Sequence, residues 1–296
     1  MNTTRTTKPL RPLASLAAHE RLNFLLTNRI PRIALTRLMG RFSKIESRWL
    51  TRVSLAVWRL FTDIDLSDAK KTDFRSLHEV FTRALKPGAR RVDADAAVLV
   101  SPCDAIVGAC GAVDGTRVFQ AKGFPYELGE LFGPDRATAS LAGGCYATLR
   151  LTSAMYHRFH AIDDGVIERV TYLSGDAWNV NPVALARIER LFCRNERVVI
   201  TQRLDAGGHR VTLVAVAAVL VASIRLHCLD VVYHLRWRGA PVTECAHRCA
   251  RGDELGWFEH GSTIIVFAPA GFSLADGIEP GRRIRMGEAL MRRPDI

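Results

Sequence analysis

Acidic residues are scarce at the start of this 296-residue chain, long apolar runs are missing throughout, and the cysteines do not pair off. Each shortage excludes something. Residues 1–60 carry twelve Lys and Arg against two acids, Glu20 and Glu46, so this segment is +10 and leaves +1 of the net +11 for residues 61–296. The basicity therefore belongs to one arm, and such an arm attracts polyanions, either nucleic acid or an anionic membrane. The longest apolar run, 211–224, has about fourteen residues, short of the roughly 20 that a membrane-spanning helix needs. The first twenty residues have no continuous apolar stretch, so no secretory leader is expected. The seven cysteines are odd in number and scattered. Cys245 and Cys249 stand four apart around His247 with no second pair, which does not fit a zinc knuckle; reduced, buried thiols and no metal are expected. No Gly-x-Ser-x-Gly is present, which removes the usual support for an ordinary serine hydrolase.

What is there begins with two helical patterns. Residues 31–45 place Leu35, Leu38, Met39, Phe42 and Ile45 at helical spacing opposite Arg37, Arg41 and Lys44. Residues 47–61 gather Trp49, Leu50, Val53, Val57, Leu60 and Phe61 into one stripe, with Arg48, Arg52 and Arg59 off it. Such stripes pack on the protein's own core or lie in a membrane interface with arginines on lipid phosphates. Nucleic acid is disfavoured, because the aromatics are not interleaved with base-reading polar groups. A short helix is predicted over 74–85, ended by Pro87-Gly88, and another over 182–192 after Asn181-Pro182. From about residue 97 the pattern changes to strands and turns, with strands predicted at 97–100, 106–108, 117–120, 145–151, 166–173, 198–202, 211–224 (one strand or two) and 264–267. The expected fold class is α+β: amphipathic N-terminal helices over residues 1–65, then a β-rich, barrel- or sandwich-like catalytic domain over 66–296.

Three stretches carry chemistry. Gly261-Ser262-Thr263 sits at the mouth of the apolar run Ile264-Ile-Val-Phe267 and puts a hydroxyl beside a carbonyl that no side chain guards. In most proteins such a tripeptide is only a turn. Ser101-Pro-Cys-Asp104 follows a short apolar run, which places its acid at a strand end or in an Asx turn. Tyr156-His-Arg-Phe-His160 packs two histidines and an arginine between aromatics. If it is extended, His157 and Phe159 face one way and Arg158 and His160 the other. A metal site with Asp163 and Asp164, or two solvated histidines, are the competing readings. Asp104, His160 and Ser262 together could form an acid–imidazole–hydroxyl unit. Spacing does not establish that contact, and the same trio would serve a Ser-His-Asp hydrolase.

The motifs taken together are more specific. In order they are Phe81-Thr-Arg-Ala-Leu-Lys-Pro-Gly-Ala-Arg-Arg91, Ser101-Pro-Cys-Asp104, Gln120-Ala-Lys-Gly-Phe-Pro-Tyr-Glu-Leu128, Tyr156-His-Arg-Phe-His160, Leu191-Phe-Cys-Arg-Asn-Glu-Arg197 and Gly261-Ser262-Thr263 with its strand. From about residue 25 to its end the chain resembles the bacterial phosphatidylserine decarboxylases, a pyruvoyl-dependent family of self-cleaving proenzymes. The resemblance implies scission between Gly261 and Ser262 into a large chain (1–261) and a small chain (262–296). The Ser262 hydroxyl would attack the Gly261 carbonyl to give an ester, and elimination with loss of ammonia would turn Ser262 into a pyruvoyl group. His160 would act as base and Asp104 as its orienter. The pyruvoyl ketone would form a Schiff base with the serine amine of phosphatidylserine and take up the electrons left by CO2, with His157 as an acid and phosphatidylethanolamine as product.

The resemblance also implies the partners: phosphatidylserine, an anionic membrane surface, the two chains of one precursor for each other, and a second copy in a homodimer, with no nucleic acid. The implied location is peripheral, on the cytoplasmic face of the bacterial inner membrane. The chain departs from the family's usual pattern at Ala105, where Gly is usual, at His260, where an aliphatic residue is usual, and at Ala222 in Val221-Ala-Ser-Ile224. These departures touch cleavage rate and pocket shape and leave every reacting group in place.

Overall fold

The apolar run after Gly261 lies in the middle of the molecule. A computed structural model describes residues 31–120, 124–133, 137–220, 223–259 and 262–294. In it Ser262–Ala268 forms strand β14, and all seven of its residues are buried. A run of Ile, Val and Phe without polar alternation fits a strand covered on both faces. β14 lies inside an eight-stranded antiparallel sheet. Its order is β12 (Val242–Cys249), β7 (Gly165–Leu173), β8 (Arg197–Leu204), β9 (Arg210–Val216), β14, β5 (Cys145–Leu151), β2 (Ala105–Ala112) and β16 (Arg283–Ile284). A second sheet has the order β11 (Val231–His234), β10 (Ser223–Leu226), β13 (Glu254–Phe258) and β6 (Arg158–His160). A third has β1 (Val98–Val100), β17 (Ala289–Arg292) and β15 (Ser273–Leu274), and β3 (Arg117–Phe119) pairs with β4 (Pro125–Glu127).

Among the described residues six α-helices accompany them: α1 (Arg32–Ser43), α2 (Arg48–Arg59), α3 (Leu77–Phe81), α4 (Leu128–Phe132), α5 (Pro182–Leu185) and α6 (Leu191–Arg194). The fold is α+β, with the two longest of the described helices at 32–59 and a β-rich body after them. The single helix predicted over 182–192 is two separate turns, α5 and α6, because Arg190 adopts a left-handed conformation with φ of 52°. The apolar run 211–224 is likewise divided between β9 and β10. The seven cysteines are free thiols.

Among the described residues two main cores hold the chain, beside a minor cluster of Ala177 and Leu235. The larger is the β body, where the ring of Phe267 meets Phe132 edge-on at 5.2 Å and stacks on Tyr146 at 6.1 Å. The smaller joins Leu55, Phe74, Leu77, Val80 and Phe81, with Met39, Phe42 and Trp58 packed against it. This cluster takes residues from both sides of position 65. Helix α2 meets it through Thr51 and Leu55, the two residues of the helix that are buried. The predicted apolar stripe faces outward instead: Trp49 is 73% exposed and Phe61 63%, and Val53, Val57 and Leu60 are exposed with them.

The segment after Ser262 is woven into the body. β14 pairs with β5 and β9, β16 with β2, and β17 with both β1 and β15. Gly256 in β13 is required by close approach, since a Cβ there would lie 1.8 Å from the carbonyl oxygen of Arg225 in β10.

Candidate active site

Strand register sets the site. Ile106 of β2, Arg150 of β5, Thr263 of β14 and Val216 of β9 stand abreast in the large sheet. Ser262 precedes Thr263 by one residue and Asp104 precedes Ile106 by two, so both lie at the same end of the sheet with β5 between them. At the usual strand spacing that separates the β2 and β14 backbones by about 10 Å. Ser262 is fully buried and its Oγ has no hydrogen-bond partner among the described residues; the same holds for the Thr263 Oγ1. Buried hydroxyls nearly always find partners, and leaving one without costs about 1–3 kcal/mol. His260 and Gly261 lie outside the described residues. Glu259, just before them, is held by Lys44 Nζ at 3.0 Å and faces His78 Nδ1 at 3.5 Å.

Asp104 is buried at the end of the loop between β1 and β2. Its carboxylate accepts from Arg90 Nε at 2.9 Å, from Arg90 Nη2 at 2.5 Å and from the backbone N–H of Met286 at 3.0 Å. Arg90 also reaches Asp68 at 2.9 Å. The Asp104 side chain holds the Arg90 guanidinium's pKa above its ordinary value. The same loop is fixed to β6, because the carbonyl of Pro102 accepts from the His160 N–H at 2.8 Å.

The His160 ring is fixed at both nitrogens. Nδ1 lies 2.8 Å from the carbonyl oxygen of Gly252, which only accepts, so Nδ1 carries the proton. Nε2 then presents its lone pair, 3.1 Å from the Tyr156 hydroxyl. Burial lowers the pKa of His160 below its ordinary 6.5, against smaller raising influences that include the charge of Asp104. A neutral imidazole with its Nε2 lone pair available is what a general base requires. Its orientation comes from Gly252, while Asp104 makes its hydrogen bonds to Arg90 and Met286 and acts on the ring through its field.

His157 is fully buried, with its ring edge-on to Phe81 at 5.9 Å. Phe81 in turn meets Trp58 of α2 at 5.3 Å, so a chain of rings runs from that helix to the histidine. The His157 carbonyl accepts from the Phe258 N–H at 2.9 Å, whereas His160 pairs with Glu254 at the other end of β13. Of the two, His157 is thus opposite the end of β13 that leads into Ser262. Arg158 lies between them with its guanidinium on Glu254 at 2.8 Å and on the Thr82 carbonyl. His157 and Phe159 are fully buried, while Arg158 and the buried His160 meet polar partners.

A cavity of about 430 Å³ opens beside this cluster, with Asp104, Tyr156, Arg83, Arg90 and Thr152 in its wall. Among the described residues, no group of three or more His, Cys, Asp or Glu side chains is placed to hold a metal ion. Sequence reasoning singled out Asp104, His157, His160 and Ser262 and missed Arg90 and the Gly252 carbonyl. Arg90 stood inside a quoted motif as one of several cations. Gly252 is 92 positions from the ring it orients, and no local pattern could have marked it.

The family model for phosphatidylserine decarboxylase matches residues 77–292. A phosphatidylserine decarboxylase proenzyme of Chromobacterium violaceum is 36% identical over 284 residues, covering 92% of this chain and 99% of the relative. Proenzymes of the same name from Shewanella sp. (strain MR-4) and Idiomarina loihiensis are 32% and 31% identical, each over 93% of this chain and over 98% and 97% of the relative. The chain belongs to the phosphatidylserine decarboxylase family.

Proposed function

We propose that this carboxy-lyase is made as a precursor, cuts itself between Gly261 and Ser262, and decarboxylates phosphatidylserine to phosphatidylethanolamine at a membrane surface. Ser262 carries the reading: a fully buried hydroxyl without a hydrogen-bond partner among the described residues, at the head of an interior strand and at the Asp104 end of the sheet. In the self-cleavage we assign to it, His160 takes the hydroxyl proton as the oxygen attacks the Gly261 carbonyl carbon. The Gly261–Ser262 C–N bond breaks, the Ser262 nitrogen receives the proton, and an ester remains. Loss of the Ser262 α-proton expels the Gly261 carboxylate, and water then displaces the nitrogen as ammonia. Asp104, fixed by Arg90, favours the imidazolium that forms transiently at His160.

The residue left at the head of β14 is a pyruvoyl group, which supplies a carbonyl that engages the substrate amine and accepts the electrons released with CO2. The site fits such a group, since position 262 is enclosed between β5 and β9 and shielded from water. His157 is the side chain we assign to proton delivery. The small chain stays bound after cleavage through the pairing of β14, β16 and β17 with strands of the large chain. Residues 1–65 serve as the membrane-association region and 66–296 as the catalytic domain. The outward stripe of α2 supports peripheral attachment, on the cytoplasmic face of the inner membrane. Among the described residues no helix is long and apolar enough to cross a membrane.

Intact mass measurement tests the reading. Two fragments are expected, 1–261 and 262–296, the second without a free amine, and Ser262→Ala should remain one inactive chain. A wild-type chain of full mass after expression, or decarboxylation by Ser262→Ala, would refute it. The pH dependence has a sign as well. With its pKa lowered by burial, His160 is still mostly neutral at pH 6.5, so the cleavage rate should fall to half only below that pH. A rate already halved at pH 7 would remove His160 as the base.

A further inference from the structure

Arg150 is a half-buried cation that the reaction described above does not use. It lies in β5, between Ile106 of β2 and Thr263 of β14, and next to Leu151, the pairing partner of Ser262. Among the described residues its side chain has no ion pair and no hydrogen bond, whereas the neighbouring Arg90 and Arg158 are each paired with acids. Burial with no acid beside it lowers its pKa from the ordinary value. Two cavities meet at this side chain. One, of about 310 Å³, opens at the Ser262 end of the sheet between Trp58 of α2, Thr152, Asn181 and Leu220. The other, of about 680 Å³, is mainly apolar and runs along the sheet face past Ile106, Tyr146, Leu185 and Phe192. Among the described residues Arg150 is the single charged one in the wall of each.

A guanidinium with no acidic partner, between a mouth that Thr152, Ser153, Asn179 and Asn181 make partly polar and a mainly apolar chamber, is complementary to a molecule with an anion between a polar head and an apolar tail. We infer that Arg150 binds the phosphodiester of the lipid substrate, with the amino-acid head towards Ser262 and the apolar part in the larger cavity. This rests on the proposed reading of the site as one for phosphatidylserine. The substrate's other anion, its carboxylate, is the wrong partner on physical grounds. A guanidinium paired with the carboxylate would stabilise the ground state, and that stabilisation would be lost as the charge leaves with CO2. The phosphodiester keeps its charge through substrate, transition state and product. Arg150 therefore contributes uniform binding, and its loss appears in KM with little change in kcat.

The test uses Arg150→Gln and Arg150→Lys in the full chain. Intact mass should show both variants cut into the same fragments as wild type, which confirms that they fold. Titration calorimetry of the processed enzymes with dihexanoyl phosphatidylethanolamine, which has the phosphodiester and lacks the carboxylate, should give a Kd at least about tenfold weaker for Arg150→Gln, as expected for losing a charge-assisted hydrogen bond. Arg150→Lys should recover part of the affinity. Dihexanoylglycerol, without phosphate, should bind wild type and Arg150→Gln alike, and turnover of the matching phosphatidylserine should show a raised KM with kcat within about threefold. An unchanged Kd for the phospholipid, an equal loss for the phosphate-free lipid, or a fall in kcat at constant KM would each overturn the assignment. Absence of CO2 release from wild type would instead refute the decarboxylase reading, since the calorimetric comparison does not depend on turnover.

Discussion

Helix α2 and strand β14 are both rich in Val, Leu, Ile and aromatic residues, yet the protein treats them in opposite ways. Every residue of β14 is buried between β5 and β9 and between two layers of side chains. Helix α2 turns Thr51 and Leu55 inward and leaves Trp49, Val53 and Val57 outside, continued by Leu60 and Phe61 beyond its end. Apolar content shows that a segment must leave water; it does not say for what. β14 left it for the protein interior, so the Ser262 hydroxyl at its head, which reacts on the proposed reading, is kept dry. On the proposed reading α2 leaves it for lipid, and the Trp58–Phe81–His157 chain of rings links that surface to the site.

The contrast is sharpest at one aromatic in each segment. Phe267 is fully buried between Phe132 and Tyr146, so Phe267→Ala should cost about 3–5 kcal/mol in denaturant unfolding. Phe61→Ala, at 63% exposure, should change stability by less than about 0.5 kcal/mol. Similar losses for the two would erase the distinction and mean that the α2 stripe is covered in the isolated protein.

The next largest effect concerns where the stripe goes. Trp49→Glu with Phe61→Glu should weaken sedimentation with vesicles of phosphatidylglycerol and phosphatidylethanolamine by at least about a hundredfold, since each ring brings about 1.5–3 kcal/mol on leaving water. Thermal unfolding and cleavage into two fragments should be unaffected. Vesicle binding at wild-type strength in this variant would detach α2 from the membrane reading.

Reading the sequence located both segments but settled only one of them. The run Ile264-Ile-Val-Phe267 has the composition of a doubly covered strand and lacks an amphipathic alternative, so its burial could be read directly. The α2 stripe fits a protein core and a lipid surface equally well, and the choice depends on whether anything packs over it, which is tertiary information. The site divides in the same way. Asp104, His160 and Ser262 could be named because their motifs are local, and strand register then places the acid and the serine at one end of a sheet. The groups that fix them are distant in sequence: Met286 is 182 positions from Asp104 and Gly252 is 92 from His160. Residues 182–192 misled for a backbone reason, since the helical spacing was real and Arg190 breaks it with a positive φ.

The smallest effect probes how α2 is held while its apolar side is turned away. The Thr51 hydroxyl, on the inward face, donates to the Arg75 carbonyl at 3.1 Å, next to Leu55 in the smaller core. Thr51→Val keeps the shape and removes that bond, at a cost of about 1 kcal/mol. Because the smaller core is separate from the one around β14, the loss should stay local. Amide exchange over residues 48–59 should quicken about fivefold, which is what about 1 kcal/mol amounts to, while amides of β14 keep their wild-type rates. Equal acceleration in both would show that helix and sheet open as one cooperative unit. The outward stripe would then be carried by the catalytic body itself, and the two segments would differ in what covers them but not in what holds them.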